Sequence, residues 1–338
     1  MKQLFLYSLL MFPLLMVAQN MEQTHHDNGQ LKEEGTLKNN QREGTWTFYH
    51  SNGEISGKGN YTQNEPNGKW TFYYDNKEIE LVSYWKNGQR EGDFNCYYES
   101  GQVLSEGKFV KDRQEGPWKY YHEQGQLGKE GRFEQGVKSG LWKTYFGHGQ
   151  LKTTENYSKG QLSGACAVFY SNGTAQSSRF YRAIDDVVIE VEVNKDLEDK
   201  SFLWIIEDID VAETQKDKTW KLYYPNGALE AVQNYENGQK TGLWKYSYET
   251  GKLKESISYS KGIQDGEAVY YYPSGQVKAQ GDLDNGVKTQ TWKTYYENGS
   301  LLSEENYLVG LKNGTCSYYN EAGQLKGTYN YKNGDLLK

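Results

Sequence analysis

The sequence predicts an all-β fold: an elongated array of stacked antiparallel β-hairpins, built from about eleven units of 24 residues and carrying one inserted acidic hairpin. Three observations predict it. One position recurs every 24 residues and is usually tryptophan, an aromatic residue follows three places later in nearly every unit, and a glycine follows seven places later in every unit but one. A fixed period of about 20 to 50 residues is typical of repeat arrays.

We call the position that tryptophan usually holds phase zero, and count the rest of each unit from it. Its occupants are Trp46, Trp70, Phe94, Trp118, Trp142, Cys166, Trp220, Trp244, Ala268, Trp292 and Cys316. A lone hairpin is only marginally stable in water, so neighbouring units must stack to cover these indoles. The predicted structural core of the repeats is therefore Trp46, Trp70, Trp118, Trp142, Trp220, Trp244 and Trp292.

Each unit also carries a hairpin signal. The pair Asn52-Gly53 lies between two aromatic or aliphatic runs, and both central residues of a type I′ turn need positive φ. If this pair is a two-residue loop, His50 is expected opposite Ile55 and Trp46 opposite Gly59. We further expect the indole to lie over the glycine that faces it across the hairpin.

The two faces of the predicted sheet differ. Tyr61 and Phe109, at plus fifteen, share the face of phase zero, so that face is apolar. Tyrosines at plus three lie on the second face: Tyr49, Tyr73, Tyr97, Tyr121, Tyr145, Tyr223, Tyr271, Tyr295 and Tyr319. Two interpretations of this tyrosine row stay open, a surface that contacts a partner and cross-strand packing that stiffens the sheet.

One segment interrupts the period. It contains twelve Asp or Glu against three Lys between residues 185 and 217, and two apolar runs that predict a larger acidic hairpin. Its apolar side could pack on neighbouring hairpins. Alternatively, it is the specific partner contact, with Phe202 and Trp204 as candidate contact residues, because no other sequence in the chain is unrepeated. Its carboxylates lack the order of a calcium loop.

The chain begins with one lysine followed by an apolar run that is too short for a membrane span, which is typical of a secretory signal peptide. We therefore expect an exported protein, periplasmic, at the cell surface or secreted, with no transmembrane span. The predicted domains are the signal peptide (1–19), a first block of repeats (20–182), the acidic insertion (183–218) and a second block of repeats (219–338).

Composition excludes several functions. The net charge of −7 gives no support to nucleic acid binding. The sequence has no His-Glu-x-x-His, Gly-x-Ser-x-Gly or Walker motif, and two of its three cysteines stand at phase zero, where we expect small buried side chains rather than disulfide partners. We expect no enzymatic activity, no catalytic residue, no cofactor and no metal site. The sequence leaves the oligomeric state open.

The segment Gly116–Leu127 follows the pattern G-x-W-x-x-Y-x-x-x-G-x-L, and Tyr235–Gly242 follows Y-x-x-G-x-x-x-G. Recurring with a fixed spacing, these patterns resemble the bacterial variant of the MORN repeat over nearly the whole chain except the signal and the insertion. The resemblance implies a hairpin array used for protein association or scaffolding, without catalytic residues. Some relatives carry an antitoxin label by similarity.

Three functions follow from these observations. The first is an exported module that binds or scaffolds a protein partner. The second is carbohydrate or cell-wall binding, because rows of Trp and Tyr suit stacking on sugars, although known repeats of that kind have a shorter period. The third is a periplasmic immunity or antitoxin protein.

Overall fold

The structure is a computed structural model that describes residues 19–183 and 215–337. All strand pairings within each part of these residues are antiparallel, and no helix occurs among them. The predicted all-β array of antiparallel hairpins is confirmed. Most of the predicted acidic hairpin, including Phe202 and Trp204, lies outside the described residues.

The chain forms two compact units, with the boundary between Arg113 and Gln114. Strands of the first unit are β1 (Gln19–His25), β2 (Leu31–Lys38), β3 (Gln41–Tyr49), β4 (Ile55–Thr62), β5 (Glu65–Tyr73), β6 (Ile79–Lys86), β7 (Gln89–Tyr97) and β8 (Val103–Val110). In this unit each strand pairs with the next one in the chain.

The second unit follows the same order of pairing. Its strands are β9 (Arg113–Tyr121, whose first residue belongs to the first unit), β10 (Leu127–Glu134), β11 (Val137–Tyr145), β12 (Leu151–Ser158), β13 (Gln161–Leu162), β14 (Gly164–Phe169), β15 (Ala175–Arg182), β16 (Gln215–Lys216), β17 (Lys218–Tyr223), β18 (Leu229–Glu236), β19 (Gln239–Lys240), β20 (Gly242–Ser247), β21 (Leu253–Ser260), β22 (Ile263–Tyr271), β23 (Val277–Asp284), β24 (Val287–Tyr295), β25 (Leu301–Leu308), β26 (Leu311–Tyr319), β27 (Leu325–Lys332) and β28 (Asp335–Leu336).

The loop within each hairpin is longer than the sequence predicts. Tyr49, and not His50, lies opposite Ile55. The backbone N–H of His50 donates to the carbonyl of Glu54 at 2.7 Å, and that of Gly53 donates to the carbonyl of His50 at 2.9 Å. The prediction of a two-residue loop was therefore wrong.

The asparagine of the loop explains this difference. Gly53 has a φ of 87°, but Asn52 is not left-handed, so the pair cannot form a type I′ turn. The side-chain oxygen of Asn52 instead accepts the N–H of Glu54 at 2.9 Å. A β-bulge beside the loop restores the predicted register, in which Trp46 lies opposite Gly59.

Type I′ geometry occurs instead in the turns between hairpins. Asn87 and Gly88 have φ values of 49° and 74°, and Asn237 and Gly238 have values of 50° and 78°. These two-residue turns match the twist of the strands they join. The following strand consequently lies directly beside the last one.

The phase-zero side chains form a buried row. All seven tryptophans of this row are at most 5% exposed. The ring of Tyr61 stands nearly perpendicular between Trp46 and Trp70, at centroid distances of 6.1 and 5.1 Å. In the second unit the ring of Phe133 lies 4.9 Å from that of Trp142. Each edge-to-face pair contributes about 0.5–1.5 kcal/mol beyond its buried area.

Six of the seven indoles lean onto the preceding hairpin rather than onto their own: Trp46, Trp70, Trp142, Trp220, Trp244 and Trp292. The ring of Trp70 lies over Gly59 and the ring of Trp142 over Gly131, so closely that an added Cβ would overlap either ring. The indole N–H of Trp70 donates to the carbonyl of Asn60 at 3.2 Å. The expectation that an indole covers the glycine opposite it was wrong, because the acceptor for its N–H is a carbonyl on the neighbouring hairpin.

The size of the residue eleven places before phase zero compensates for the size of the phase-zero residue in most units. Glycine stands eleven places before tryptophan in the pairs Gly35/Trp46, Gly59/Trp70, Gly131/Trp142 and Gly281/Trp292. A larger residue stands there when phase zero is smaller, as in Ser83/Phe94, Glu155/Cys166, Ile257/Ala268 and Glu305/Cys316. The exceptions are Gln233/Trp244 and, across the insertion, Arg179/Trp220. A close-packed interior requires this compensation in volume.

The repeat resumes a few residues before the predicted boundary at 219. Arg182 pairs with Gln215, and Asp217 is 7% exposed and accepts a hydrogen bond from Arg182 at 3.1 Å. The indole N–H of Trp220 donates to the carbonyl of Phe180 at 3.0 Å, as at other junctions. Residues 183–214 therefore replace one turn between hairpins.

The glycine beneath an indole gives a test of this packing. Gly131→Ala should lower the free energy of unfolding by about 1–3 kcal/mol, because the methyl group overlaps the ring of Trp142. Gly147→Ala is the control, since its Cβ meets no atom within 4 Å and its φ is not left-handed, and it should change the unfolding free energy by less than about 0.5 kcal/mol. Urea titration followed by tryptophan fluorescence measures both; equal effects would contradict the packing.

Candidate binding surfaces

In each unit the sheet presents two faces and two edges. The inner face carries the phase-zero row, and the outer face carries the tyrosines at plus three. The turn edge is formed by the loops within hairpins, and the linker edge by the turns between hairpins. Any binding site must be built on one of these four surfaces.

Lys or Arg side chains, which stand four residues before phase zero, form a row of cations over the rings of the inner face. The ammonium of Lys240 lies 4.5 Å from the ring centroid of Trp244 and 5.0 Å from that of Tyr259, and Lys288 lies 4.5 Å from Trp292. Arg42, Lys138 and Lys216 make the same contacts in other units. Their stems cover the rings, and each cation–π contact contributes about 0.5–1 kcal/mol at such sites. The indole faces are thus already occupied.

Polar residues enter the inner row where tryptophan is missing. Cys166 lies opposite Arg179, and Glu155 occupies the same row on the preceding hairpin. Burial raises the pKa of the Cys166 thiol, so it stays protonated at neutral pH and is a poor nucleophile. The guanidinium of Arg179 lies 5.4 Å from the ring of Trp220.

Among these polar residues, Glu305 accepts hydrogen bonds from three different side chains. Its carboxylate accepts hydrogen bonds from Lys312 at 2.8 Å, from Tyr318 at 2.6 Å and from Tyr307 at 2.8 Å. Burial opposes the ionisation of Glu305, but these three donors outweigh it and hold its pKa below the ordinary value. Burial and the hydrogen bond to Glu305 raise the pKa of Tyr318 to about 12. The cluster fills the space that a tryptophan would take at Cys316.

The outer face presents the tyrosines at plus three as a half-buried row. Tyr145 donates to Glu130 at 2.8 Å, and Tyr295 accepts from Gln280 at 3.2 Å, in each case on the preceding hairpin. Burial and the bond to Glu130 raise the pKa of Tyr145 to about 12. Both predicted roles are therefore compatible with this row, since the rings bridge hairpins and still expose part of their surface.

The turn edge is a hydrogen-bonded ladder. The hydroxyl of Tyr224 donates to the carbonyl of Ser247 at 2.8 Å, and the side-chain amide of Asn226 donates to the carbonyl of Glu249 at 3.0 Å. The same bonds recur at Tyr74, Asn76, Tyr170, Asn172, Tyr248, Tyr272, Tyr296 and Asn298. These donors are engaged in joining successive hairpins.

No group of three His, Cys, Asp or Glu side chains that could hold a metal ion occurs within residues 19–183 and 215–337. His26 lies at the turn edge, with its Nε2 2.9 Å from the carbonyl of Tyr49. In the same part of the chain, no helix has the length and apolar character needed to cross a bilayer. The candidate contacts Phe202 and Trp204 lie outside it.

The comparison with known families agrees with this geometry. The MORN repeat variant matches ten segments that together cover more than half of the chain: residues 21–39, 42–63, 90–111, 114–135, 138–159, 216–237, 240–261, 264–285, 291–308 and 312–333. The chain belongs to this MORN repeat variant family. The matched segments include the repeats on both sides of the insertion.

No curated protein matches this MORN repeat chain. Among solved structures, the crystal structure of TcdB2-TccC3 is similar at 12% identity over 94% of this chain and 18% of that chain, with a TM-score of 0.18. The crystal structure of TcdB2-TccC3-Cdc42 is 12% identical over 93% of this chain and 19% of that chain, with a TM-score of 0.18. The Tc holotoxin pore of Photorhabdus luminescens is 12% identical over 90% of this chain and 15% of that chain, again with a TM-score of 0.18. The chain spans less than a fifth of the length of these chains, and TM-scores this low support no structural conclusion.

The cation row and the Glu305 cluster are functional or structural groupings that the sequence analysis missed. The cation row had a signal, because Lys or Arg recurs four places before phase zero, in Arg42, Arg90, Lys138, Lys216, Lys240, Lys288 and Lys312. The cluster had a weaker one, namely a carboxylate eleven places before a cysteine at phase zero. To predict either the cation row or the Glu305 cluster from these signals, one would need to know which hairpin each indole contacts.

The pKa of Glu305 gives a pH-dependent prediction. Because its folded pKa lies below its unfolded value of about 4.3, the stability it contributes is present above that pH and is lost as the pH falls through the folded pKa. Glu305→Gln should therefore reduce the free energy of unfolding at pH 7 by about 1–3 kcal/mol, and by much less at pH 3.

Urea titrations at both pH values measure this difference. Glu304→Gln is the control, because the neighbouring carboxylate is 41% exposed and lies 3.8 Å from Lys293; its loss should cost less than about 1 kcal/mol. A Glu305→Gln variant whose deficit is the same at pH 3 and pH 7 would show that ionisation of Glu305 does not stabilise the fold.

Proposed function

We propose that this MORN repeat chain is an exported, non-enzymatic module that binds or scaffolds a protein partner through the outer face of its hairpins. The observation that carries the proposal is the row of half-buried tyrosines on that face. Tyrosine supplies a large amphipathic contact area at low conformational cost and is enriched at protein interfaces. The repeat places one such ring on nearly every hairpin.

The other surfaces support this choice. The phase-zero tryptophans of the inner face are at most 5% exposed, and cations lie over the rings of residues such as Trp244 and Trp292. The donors of the turn edge are engaged between hairpins. The outer face combines available aromatic surface with side chains whose positions are fixed in advance, as in the bond between Tyr145 and Glu130, and such preorganisation reduces the cost of binding.

The charges between the tyrosines favour a protein over a glycan. On the outer face Lys221 and Lys245 are exposed, while Glu130 and Glu304 are half-buried near Lys143 and Lys293. A surface with both signs of charge is complementary to a protein that also carries both signs. Carbohydrate binding remains the alternative function, since regularly spaced aromatic rings also suit sugars.

Removal of outer-face tyrosines tests the proposal. Tyr223→Ser with Tyr271→Ser should decrease partner capture about tenfold or more, because two contact side chains are lost. The fold should persist, since Ser247 already stands at plus three in one hairpin. Proximity labelling in the native envelope, followed by mass spectrometry, measures capture.

Tyr329→Ser is the matched control, because the same chemical change falls on the inner row, at a side chain that is 46% exposed. Capture should be retained in this variant. Unchanged capture by the double variant would refute the proposed surface. Loss of binding to peptidoglycan or purified glycans, with protein capture intact, would favour the carbohydrate alternative.

Export is part of the proposal and has its own support. The first 19 residues carry one lysine and an apolar run, the composition of a secretory signal peptide. Mass spectrometry of the protein isolated from its native cells should find an N terminus near Ala18 or Gln19. An intact N terminus at Met1 in cytoplasmic material would contradict export.

A further inference from the structure

The linker edge exposes an apolar stripe in three successive hairpins of the second unit. Ile263, Val287 and Leu311 hold the same position, five residues before phase zero, and are 49%, 39% and 51% exposed. Earlier units carry Gln, Glu or Arg at this position, apart from one valine: Gln41, Glu65, Gln89, Arg113, Val137, Gln161, Gln215 and Gln239. The stripe is therefore not a requirement of the repeat.

The turn from Leu308 to Leu311 is the most apolar part of this edge. These two leucines pair across the turn, and Leu308 is 53% exposed. Val309, at the tip, is 75% exposed and has a φ of 48°. A β-branched residue is unfavourable in this left-handed conformation, and other linker turns place a polar residue there: Asn39, Gln63, Asn87, Lys111, Gln135, Lys159, Asn237, Lys261, Asn285 and Asn333. An exposed, strained valine gives nothing to the buried row, so it indicates a contact surface.

The stripe is continuous along the edge. A Cβ at Gly310 would lie 3.3 Å from Val287, and one at Gly334 would lie 3.7 Å from Leu311, so each of these side chains contacts the turn of the next hairpin. Successive stripe residues are separated by two strands, or about 10 Å. Contiguous apolar surface of this kind is typical of contacts with protein.

Opposite charges stand on either side of the apolar turn. Asp284, one hairpin before it, and Lys332, one hairpin after it, hold the same repeat position as Leu308, and both are exposed. Each is separated from Leu308 by two strand spacings, about 10 Å. The edge therefore carries an acid, an apolar centre and a base at equal intervals. This pattern becomes complementary to itself when its direction is reversed.

We propose that this edge binds the same edge of a second copy of the chain, through a two-fold contact centred on the turn from Leu308 to Leu311. A two-fold axis normal to the sheet at this turn brings the edges together with their hairpins stacked in opposite directions. Asp284 of each copy then faces Lys332 of the other, and Val309 faces Val309. An arrangement with hairpins stacked in the same direction would instead bring like charges together. This inference does not rest on the proposed outer-face function.

The other charged groups of the edge are compatible with this contact. Asp335 comes opposite Val287 of the other copy, but it pairs with Lys332 across its own turn, which balances its charge. Lys261 and Asp265 belong to a hairpin two steps before the centre, about 20 Å away, where both remain exposed at the rim. Complementary charges at the ends of the contact set its direction, and the apolar centre supplies the buried area.

The contact is small, so we expect a weak dimer. An edge of three turns falls below the about 1,200–2,000 Å² that stable protein complexes bury, and contacts of the smaller class are transient. The full chain should therefore be mainly monomeric at about 1 μM and associate as the concentration approaches about 100 μM.

Reversal of the charges tests the two-fold contact in the full chain. Asp284→Lys should weaken association about tenfold or more, because it places two lysines opposite each other at both ends of the contact. Asp284→Lys with Lys332→Asp should restore the association, because opposite charges again face each other. Sedimentation velocity from about 1 to 100 μM measures all three chains. Such a rescue would not follow if the two side chains contributed only to folding.

Glu236→Lys is the matched control, because it makes a similar change at the same repeat position, three hairpins before the centre, on an exposed side chain. Its association should equal that of the native chain. Val309→Asn should also weaken association about tenfold or more, while a urea titration shows that the fold is retained, since asparagine is native at the equivalent Asn285 and Asn333. A native chain that stays monomeric at about 100 μM would overturn the proposal. Association that Asp284→Lys leaves unchanged, or that the double reversal does not restore, would also overturn it.

Discussion

The rest of the structure depends on one constraint: a single-layer sheet must shelter an indole from water. Trp70 meets it by leaning over Gly59 of the preceding hairpin and donating its N–H to the carbonyl of Asn60. A Cβ at position 59 would overlap the ring of Trp70. Because the shelter comes from the neighbour, no hairpin completes its own core, and stability is shared between adjacent units as in other repeat proteins.

The same constraint explains where polar groups enter the interior. When cysteine replaces tryptophan at phase zero, the vacated volume is taken by a carboxylate eleven residues earlier, as Glu305 does before Cys316. A buried carboxylate is costly unless it is hydrogen-bonded, and Lys312, Tyr318 and Tyr307 supply the donors. The cation row also follows from it, since Lys and Arg side chains cover the ring faces that one sheet layer leaves open.

With the inner face and the turn edge engaged in holding hairpins together, the outer face and the linker edge are left for contacts with other molecules or other segments. The outer face repeats the same tyrosine in nearly every unit, which suits an extended partner. The linker edge is different, because Ile263, Val287 and Leu311 expose apolar side chains there in three successive hairpins of the second unit. The same repeat can therefore present the tyrosine row on nearly all hairpins and an apolar linker edge on only a few, without a change in its buried row.

The sequence by itself determined the all-β class, the 24-residue period, the hairpin register of Trp46 opposite Gly59, and the family, because each is written in the spacing of residue types along one chain. It did not determine the length of the loop at Asn52-Gly53, since a side-chain hydrogen bond competes there with the type I′ turn. Nor could it decide which glycine each indole covers, or that Glu305 would be ionised in the interior. Those outcomes depend on atoms of an adjacent hairpin, and only the tertiary structure brings these within hydrogen-bonding and packing distance.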